Sequence, residues 1–562
     1  MRHKTNEPAR LRRNLRNNSA VFAALAASLL AAPWAQAQDA PASGGGASQP
    51  VRTAQASTTV SQSASQTAGS TLVDTLIPGL TFDAGVHLSE SYVSNARGLA
   101  NNSQADYVTQ FGVDLGLHEH TRRVSIDATY AGSIDYYAQD SQSTQFTNYL
   151  QAIANITAVE DYVNIFGRAF AQPVVINNVG IVTAGGGVSP DGYRNSYGFS
   201  VGPDIHFRLG NFATSQTIAT YGATYFTNLA GASAFAPIPG IRGPQDMTMR
   251  SITEKISSGT DFSRLNWGIV GLFSEIDRPQ GLFSEKAGAG QFRYAIAPGI
   301  SLLATGGYDS ISNSTPLFRN ISGPVGMGGI SLAFGEDFFF EFQVGQKYNS
   351  TSYQGSLRWN LGPTSVLAGS ATDEVTTPEG QLLNSLNDLT ATPGGTLTSA
   401  ANVYANGSAA TLGSFNAQSL GSTSLNQNIS RYQRVNLSFS QDFERDHANV
   451  SVYATRQTYL DGLFIGPSSV NSWGMQGSFS HNFTRLFTGT IGAGYASYEQ
   501  FGGDANTFNL NGQLSYSLSP QTNVYLRSDY MNRDSSPALQ TLSPFTGSLD
   551  DVRVMVGISH RL

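Results

Sequence analysis

The stretch "LSYSLSPQTNVYLRSDY", residues Leu514–Tyr530, decides the fold. Leucine and tyrosine alternate with serine before the proline, and beyond it Val524 and Leu526 alternate with polar residues that include Arg527 and Asp529. This period of two predicts a pair of strands with one apolar face and one polar face. In a soluble sandwich the apolar face is the core, whereas in an outer-membrane barrel it meets lipid and the polar face lines a lumen.

Two features of the whole chain favour the barrel: the alternation continues from residue 80 to the C-terminus, and the connections alternate in length. Short turns are predicted at 118–122, 158–161, 209–211, 262–264, 297–299, 334–337, 361–364, 443–446, 483–485 and 518–522. Longer connections lie between them, at 95–104, 173–194, 229–246, 312–325, 377–427 and 533–549, with the link near 348–351 as an exception. Short periplasmic turns and long outer loops predict an all-β fold, a closed antiparallel transmembrane β-barrel of about 22 strands, over residues 79–562.

The N-terminus has the three parts of a secretory signal peptide. A positively charged start is followed by the apolar run "AVFAALAASLLAA" (20–32) and by an "AQA" cleavage site that ends at Ala37. The apolar run is too short for a membrane-spanning helix. Residues 1–37 are therefore predicted to direct Sec export. The small, polar residues 38–78 are predicted to form a disordered periplasmic tail before an outer-membrane barrel.

Composition excludes several functional classes. The chain has no Cys, which rules out disulfides, thiolate metal sites and a lipoprotein anchor. Removing residues 1–37 takes away six Lys/Arg and one Glu of the 32 and 39 in the chain, which leaves a net charge of −12. Such a charge argues against nucleic acid as a partner.

Strand parity places charges of both signs in the predicted lumen. These candidate lumen-lining residues are Asp83, His87, Asp114, His118, Arg123, Asp127, Arg358, Arg434, Arg527, Asp529 and Arg553. A lumen of mixed charge holds water and solutes without strong ion selection. Alternatively, these groups pair across strands and only stabilise the wall. No nucleophile–base set and no converging ligand set is visible, so we expect neither an enzyme nor a cofactor or metal site.

The connection 377–427 is the longest and is predicted to have a function. Thr377 and Pro378 are suited to begin a helix, and "PGG" (393–395) to end it. Leu382, Leu383, Leu386 and Leu389 would then share one helical face. This helix is expected to fold into the mouth of the barrel and narrow it, or else the segment is a flexible surface loop.

Several blocks resemble the putative β-barrel porin family that includes outer-membrane proteins associated with PEP-CTERM systems. They are "LSESYVSNARG" (88–98), "ADYVTQFGVDLGL" (105–117), "SIDYYAQDSQSTQFTNYLQA" (133–152), "AVEDYVNIFGRAFAQ" (158–172) and "YQGSLRWNLGPTSVLAGSATDEVTT" (353–377). The resemblance implies a role near exopolysaccharide biogenesis. The last eight residues, "MVGISHRL" (555–562), are similar to the signal read by the barrel-assembly machinery, but lack its aromatics at His560 and Leu562.

The leading functional hypothesis is a pore or conduit, embedded in outer-membrane lipid as a monomer, that passes polysaccharide, oligosaccharide or other hydrophilic solutes. The alternative is a scaffold barrel that docks export or assembly proteins through its loops and tail. A TonB-dependent receptor is rejected, because residues 38–78 are too few for its folded plug domain.

Overall fold

The fold is known from a computed structural model, which describes residues 80–98, 103–175, 193–227, 246–279, 281–314, 320–376, 389–391, 397–399, 429–460, 469–500, 503–537 and 547–562. The predicted signal peptide, its cleavage site at Ala37 and the predicted tail lie outside these ranges.

The described residues form 24 strands. In chain order they are β1 (Leu80–Val93), β2 (Asp106–His120), β3 (Val124–Tyr137), β4 (Gln145–Val159), β5 (Val163–Val175), β6 (Tyr193–Leu209), β7 (Ala213–Phe226), β8 (Met247–Ser258), β9 (Leu265–Arg278), β10 (Gly281–Ala297), β11 (Ile300–Asn313), β12 (Ile321–Phe334), β13 (Phe338–Lys347), β14 (Ser350–Gly362), β15 (Ser365–Thr376), β16 (Leu389–Ala391), β17 (Leu397–Ser399), β18 (Ser430–Asp442), β19 (Asp446–Tyr459), β20 (Ser469–Asn482), β21 (Phe487–Gln500), β22 (Gly503–Ser517), β23 (Thr522–Ser535) and β24 (Leu549–Arg561). No helix in the described ranges is long and apolar enough to cross a membrane.

All strands except β16 and β17 belong to one 22-stranded antiparallel sheet, which closes on itself. Each strand pairs with its neighbours in sequence, β15 pairs with β18, and β1 pairs with β24. The closing ladder runs from Gly85 opposite Arg561 to Val93 opposite Arg553. The predicted fold class and strand number are confirmed.

The two faces of the sheet differ as the alternation predicted. On β22 and β23, Leu510, Leu514 and Leu526 are exposed, and all three point to the outside of the barrel. The same holds around the ring for large apolar side chains such as Phe111, Ile134, Ile252, Ile269, Leu302, Ile330, Val452, Trp473, Ile491 and Val556. A closed barrel with such an apolar exterior is suited to lipid, because closure leaves the sheet without a free edge.

Aromatic contacts flank the periplasmic turns. Phe334 stacks on Phe338, with ring centroids 5.9 Å apart, and Phe338 meets Trp359 edge-on at 5.6 Å. Phe483 stacks on Phe487 at 5.0 Å. Aromatic rings prefer the level of the lipid head groups, so these contacts mark one membrane boundary.

The connections depart from the predicted rule at the outer end. Every predicted short turn joins two strands at the periplasmic end, as expected. At the outer end, however, β9–β10, β13–β14 and β21–β22 are separated by only two residues each. Only the link near 348–351 was an expected exception, so the strict alternation of connection lengths is wrong at two further places. At the anticipated exception, Tyr348 and Asn349 both have positive φ, which is typical of a two-residue type I′ turn.

The long connection between β15 and β18 contains a short hairpin. Leu389, which was predicted to lie on a helix, begins β16 and pairs with Ser399 of β17. The helix prediction is therefore wrong at Leu389, where the cross-strand partner overrides local helical spacing. Leu382, Leu383 and Leu386 lie outside the described residues.

The assignment of faces can be tested with one arginine placed on each side of β22. Leu510 lies mid-strand and faces out, so Leu510→Arg should lower the free energy of unfolding by about 2–4 kcal/mol. Its neighbour Asn511 faces in, opposite Asp529, so Asn511→Arg should change it by less than about 1 kcal/mol. Denaturant unfolding of vesicle-inserted protein would measure both, and equal costs would contradict the assignment.

Candidate functional site in the barrel lumen

The inward face of the barrel is buried in its outer part and accessible in its periplasmic part. On β1, Ser89, Ser91 and Val93 near the outer end are at most 6% exposed, whereas Asp83 near the periplasmic end is exposed. Strands β19 and β22 follow the same gradient, whereas Asp127, Arg293, Ser301 and Glu341 are buried close to the periplasmic turns. Solvent therefore reaches the inward face mainly on the periplasmic side of β1 and of β19–β22.

Part of the closed region is apolar. An apolar cluster lines the outer lumen along β4–β11 and reaches the base of the long connection, and its buried members are Ile153, Phe170, Phe226, Met247, Met249, Ile276, Phe283, Ile311, Val375 and Ile429. Sequence alternation missed this cluster, because both faces of these strands carry apolar residues and parity alone cannot separate lipid from lumen.

Four predicted lumen residues form His–Asp contacts on β1–β3. His87 Nδ1 lies 3.0 Å from Asp114 Oδ2, and His118 Nδ1 lies 3.0 Å from Asp127 Oδ1. A further histidine that was not singled out, His120, places Nε2 3.2 Å from the same Asp127 oxygen. These bonds join neighbouring strands, and they do not converge on a common centre. Within the described ranges, no three His, Asp or Glu side chains are arranged as metal ligands.

The remaining predicted residues are dispersed around the wall. Arg527 donates to Asp529 from Nε, at 2.9 and 3.1 Å, and from Nη2, at 2.8 Å. Arg553 stands opposite Asp529 on the next strand. Three others also line strands: Asp83 opposes Gly116, Arg358 opposes Phe339, and Arg434 opposes Thr372. Arg123 lies in the exposed turn before β3 rather than on the lumen-facing strand, because the chain reverses one residue later than predicted.

Two buried ion pairs were not identified as pairs from sequence. Arg293 binds Glu341 and donates from Nη1 to Ser331 Oγ at 2.9 Å, and the two charged side chains are 3% and 9% exposed. Lys347 Nζ lies 3.5 Å from Asp309 Oδ2. Their partners are 48 and 38 residues apart, so only the strand registers could have paired them.

A patch of amide side chains, here called the amide wall, lines the accessible part of β19–β22. It consists of Asn449, Gln476, Asn511 and Gln513, all half-buried and inward-facing. None of the four donates or accepts a side-chain hydrogen bond within the described part of the chain. Gly492 lies between them, and a Cβ there would come within 2.5 Å of Asn511 Oδ1, so the amide rests on bare backbone.

The β16–β17 hairpin contacts the wall of the barrel far from the strands that carry it. It contacts β4 through β16 and β3 through β17, although the connection that carries it starts from β15 and returns to β18. Around the ring, β18–β24 and β1–β3 lie on one side of the gap between these points, and β4–β15 on the other. The hairpin is thus on the wall almost diametrically opposite its own base.

The base of this connection is held by a cluster around Arg431. Arg431 Nε donates to Asp373 Oδ1 at 2.7 Å, Nη2 donates to the Thr351 carbonyl at 2.7 Å, and a second bond joins it to Asp373 Oδ2. It also bonds Ser350 Oγ and lies over the ring of Tyr348, 5.9 Å from the centroid. Strands β15 and β18 are thereby fastened to the β13–β14 turn where the long connection begins and ends.

Comparison with known proteins gives structural likeness only. No protein-family model matches the chain, and no curated protein matches it, so the resemblance to the porin family is not confirmed. Among solved structures, the FrpB iron transporter from Neisseria meningitidis aligns with a TM-score of 0.46 and 13% identity over 87% of this chain and 83% of its own. The siderophore receptor PirA from Acinetobacter baumannii aligns with a TM-score of 0.43 and 8% identity over 86% and 81% of the two chains. OccAB1 from the same organism gives 0.33 and 12%, over 86% and 97%. Likeness at this level does not assign a solute to this chain.

The Arg293–Glu341 pair provides a test of how the inner wall is stabilised. Arg293→Met leaves the Glu341 carboxylate buried without its cation and should lower the free energy of unfolding by about 3–5 kcal/mol. Adding Glu341→Gln should recover most of that loss. The control is Arg122→Met in the exposed Arg122–Glu160 pair, for which a change below about 1 kcal/mol is expected. Similar losses in R293M and R122M would contradict the buried role.

Proposed function

We propose that the protein is an outer-membrane conduit for neutral, hydroxyl-rich chains, namely polysaccharide or oligosaccharide in exopolysaccharide biogenesis. The observation that carries this proposal is the amide wall on the accessible part of the lumen. Export through the Sec signal peptide and insertion by the barrel-assembly machinery belong to the same proposal.

The chemistry of the amide wall matches sugar hydroxyls. Each amide offers two donors and an acceptor, and a hydroxyl group is itself both donor and acceptor. The four amides carry no charge, so they favour neither sign of ion. Their side chains are not bonded within the described wall, and a passing solute can therefore replace water on them without breaking protein contacts.

The long connection 377–427 is the proposed gate. Its hairpin lies against β3 and β4, on the wall opposite the strands that carry the connection. The Arg431–Asp373 cluster holds the base of the connection, and Val375 and Ile429 join that base to the apolar cluster. Displacing this segment would be required for a polymer to pass.

Single-channel conductance in a planar bilayer tests the conduit and its gate. We expect the intact protein to be closed most of the time and a variant lacking residues 378–426 to give large, stable steps. Arg431→Gln should raise the open fraction several-fold, because it releases the base of the gate, whereas Arg456→Gln, an exposed arginine on β19, should not. Large steps in the intact protein would make the segment a surface feature. Silence from a folded deletion variant would overturn the conduit and favour the scaffold.

Current block by dextran oligosaccharides tests the amide wall in the deletion variant. Replacing Asn511 and Gln513 by Leu removes the bonds to sugar hydroxyls and should shorten the block by about tenfold. The matched control is Asn471→Leu, an exposed, outward-facing asparagine on β20. Equal block times in all three proteins would contradict a saccharide-binding wall.

A further inference from the structure

Two carboxyl groups meet in the closed outer part of the lumen. Glu285 on β10 and Asp309 on β11 both face inward, since Glu285 opposes Ile311 and Asp309 opposes Ala287. Each residue is 2% exposed. The two carboxyls are close enough to interact directly.

Among the described residues, one cationic side chain forms an ion pair with these two carboxyls. Lys347 Nζ lies 3.5 Å from Asp309 Oδ2 and 4.7 Å from the centroid of the Tyr348 ring. Glu285 Oε2 and both oxygens of Asp309 lack a well-formed hydrogen bond in the described part of the chain. A buried carboxylate is costly without a compensating charge, and the single positive charge of Lys347 cannot compensate two of them.

The other groups near the two carboxyls do not supply a second positive charge. Arg431 is engaged by Asp373, Thr351 and Ser350, and Glu374 adds further negative charge. Burial, and then the nearby carboxyls, raise the pKa of the Tyr348 hydroxyl in the β13–β14 turn well above its ordinary value. That hydroxyl therefore stays neutral at any physiological pH, so it can donate to Asp309 but adds no positive charge to the pair. On the flanking strands, Ser274 of β9 stands opposite Glu285 and Gly323 of β12 stands opposite Asp309, and neither carries a charge.

We propose that Glu285 and Asp309 form a proton-binding site that holds one proton between them, with Lys347 as the counter-ion of the remaining negative charge. The proton makes Glu285 a donor to Asp309 and leaves the three groups electrically neutral. If both neighbouring carboxyls were ionised, one buried negative charge would instead remain uncompensated.

The site adjoins the apolar cluster of the outer lumen. Phe283 and Ile311, which flank Glu285 along β10 and across to β11, belong to this cluster, as do Val375 and Ile429 at the base of the long connection. The packed form binds one proton more than a form in which Glu285 reaches water. Raising the pH therefore weakens the packed form, and the equilibrium between the two forms changes by up to about tenfold per pH unit while Glu285 is protonated only in the packed form.

Infrared spectroscopy of the full, lipid-inserted protein in heavy water tests the site without relying on conduction. At neutral pH we expect a carbonyl stretch of a protonated carboxyl group that disappears in Glu285→Gln and persists in Glu336→Gln, an exposed glutamate in the β12–β13 turn. Asp309→Asn should also abolish it, because Glu285 then becomes the partner of Lys347 and ionises. Heat-modifiable gel migration would establish that each variant is folded.

The absence of this band from the wild-type protein, or its persistence in folded E285Q, would overturn the proposal. A second measurement uses midpoints of thermal unfolding between about pH 6 and about pH 9, which should fall with pH in the wild type and in E336Q but remain level in E285Q. A wild-type midpoint that does not depend on pH, or the same fall in E285Q, would also overturn it. Because neither readout requires current, failure of the conduit and failure of the proton site are distinguishable.

Discussion

The structure depends on one constraint, which is that every backbone N–H and C=O of a lipid-embedded sheet must find a partner within the protein. The ladder between β1 and β24 meets it, and the amide of Leu562 bonds the Ala84 carbonyl at 2.8 Å where that ladder ends. Without this last pairing the sheet would expose two unpaired edges to hydrocarbon. Along each strand of the closed sheet, residues that face the lumen alternate with residues that face lipid.

Because of this alternation, charged side chains that could not face lipid lie on the inner wall, and water reaches only some of them. Near the periplasmic end these groups keep some contact with solvent, as the half-exposed Asp114 beside His87 illustrates. Elsewhere on the inner wall they are buried and paired, as in Arg527–Asp529 and Arg293–Glu341. Inner-wall stability therefore depends on complete pairs, and the proton proposed above would complete the Glu285–Asp309–Lys347 group in the same way.

Sequence reasoning reached the barrel, its strand number and its periplasmic turns, because a period of two and short polar turns are local signals. It missed what depends on distant strands. Arg293 and Glu341 are 48 residues apart and belong together only through three successive registers. Local spacing also misplaced Leu389 on a helix, where the pairing with Ser399 decides otherwise. Met249 and Ile276 were not predicted to line the lumen, because polar residues were expected there, whereas both are buried in the apolar cluster.

The apolar cluster of the outer lumen has a consequence for ions. Water retreats from narrow apolar passages, and a dissolved ion that enters one loses hydration that nothing on such a wall replaces. Even with the long connection displaced, Met249, Ile276 and Phe283 would remain on β8–β10. An ion in the opened lumen would therefore keep more of its hydration along the polar amides of β19–β22, roughly opposite in the ring, than along this arc.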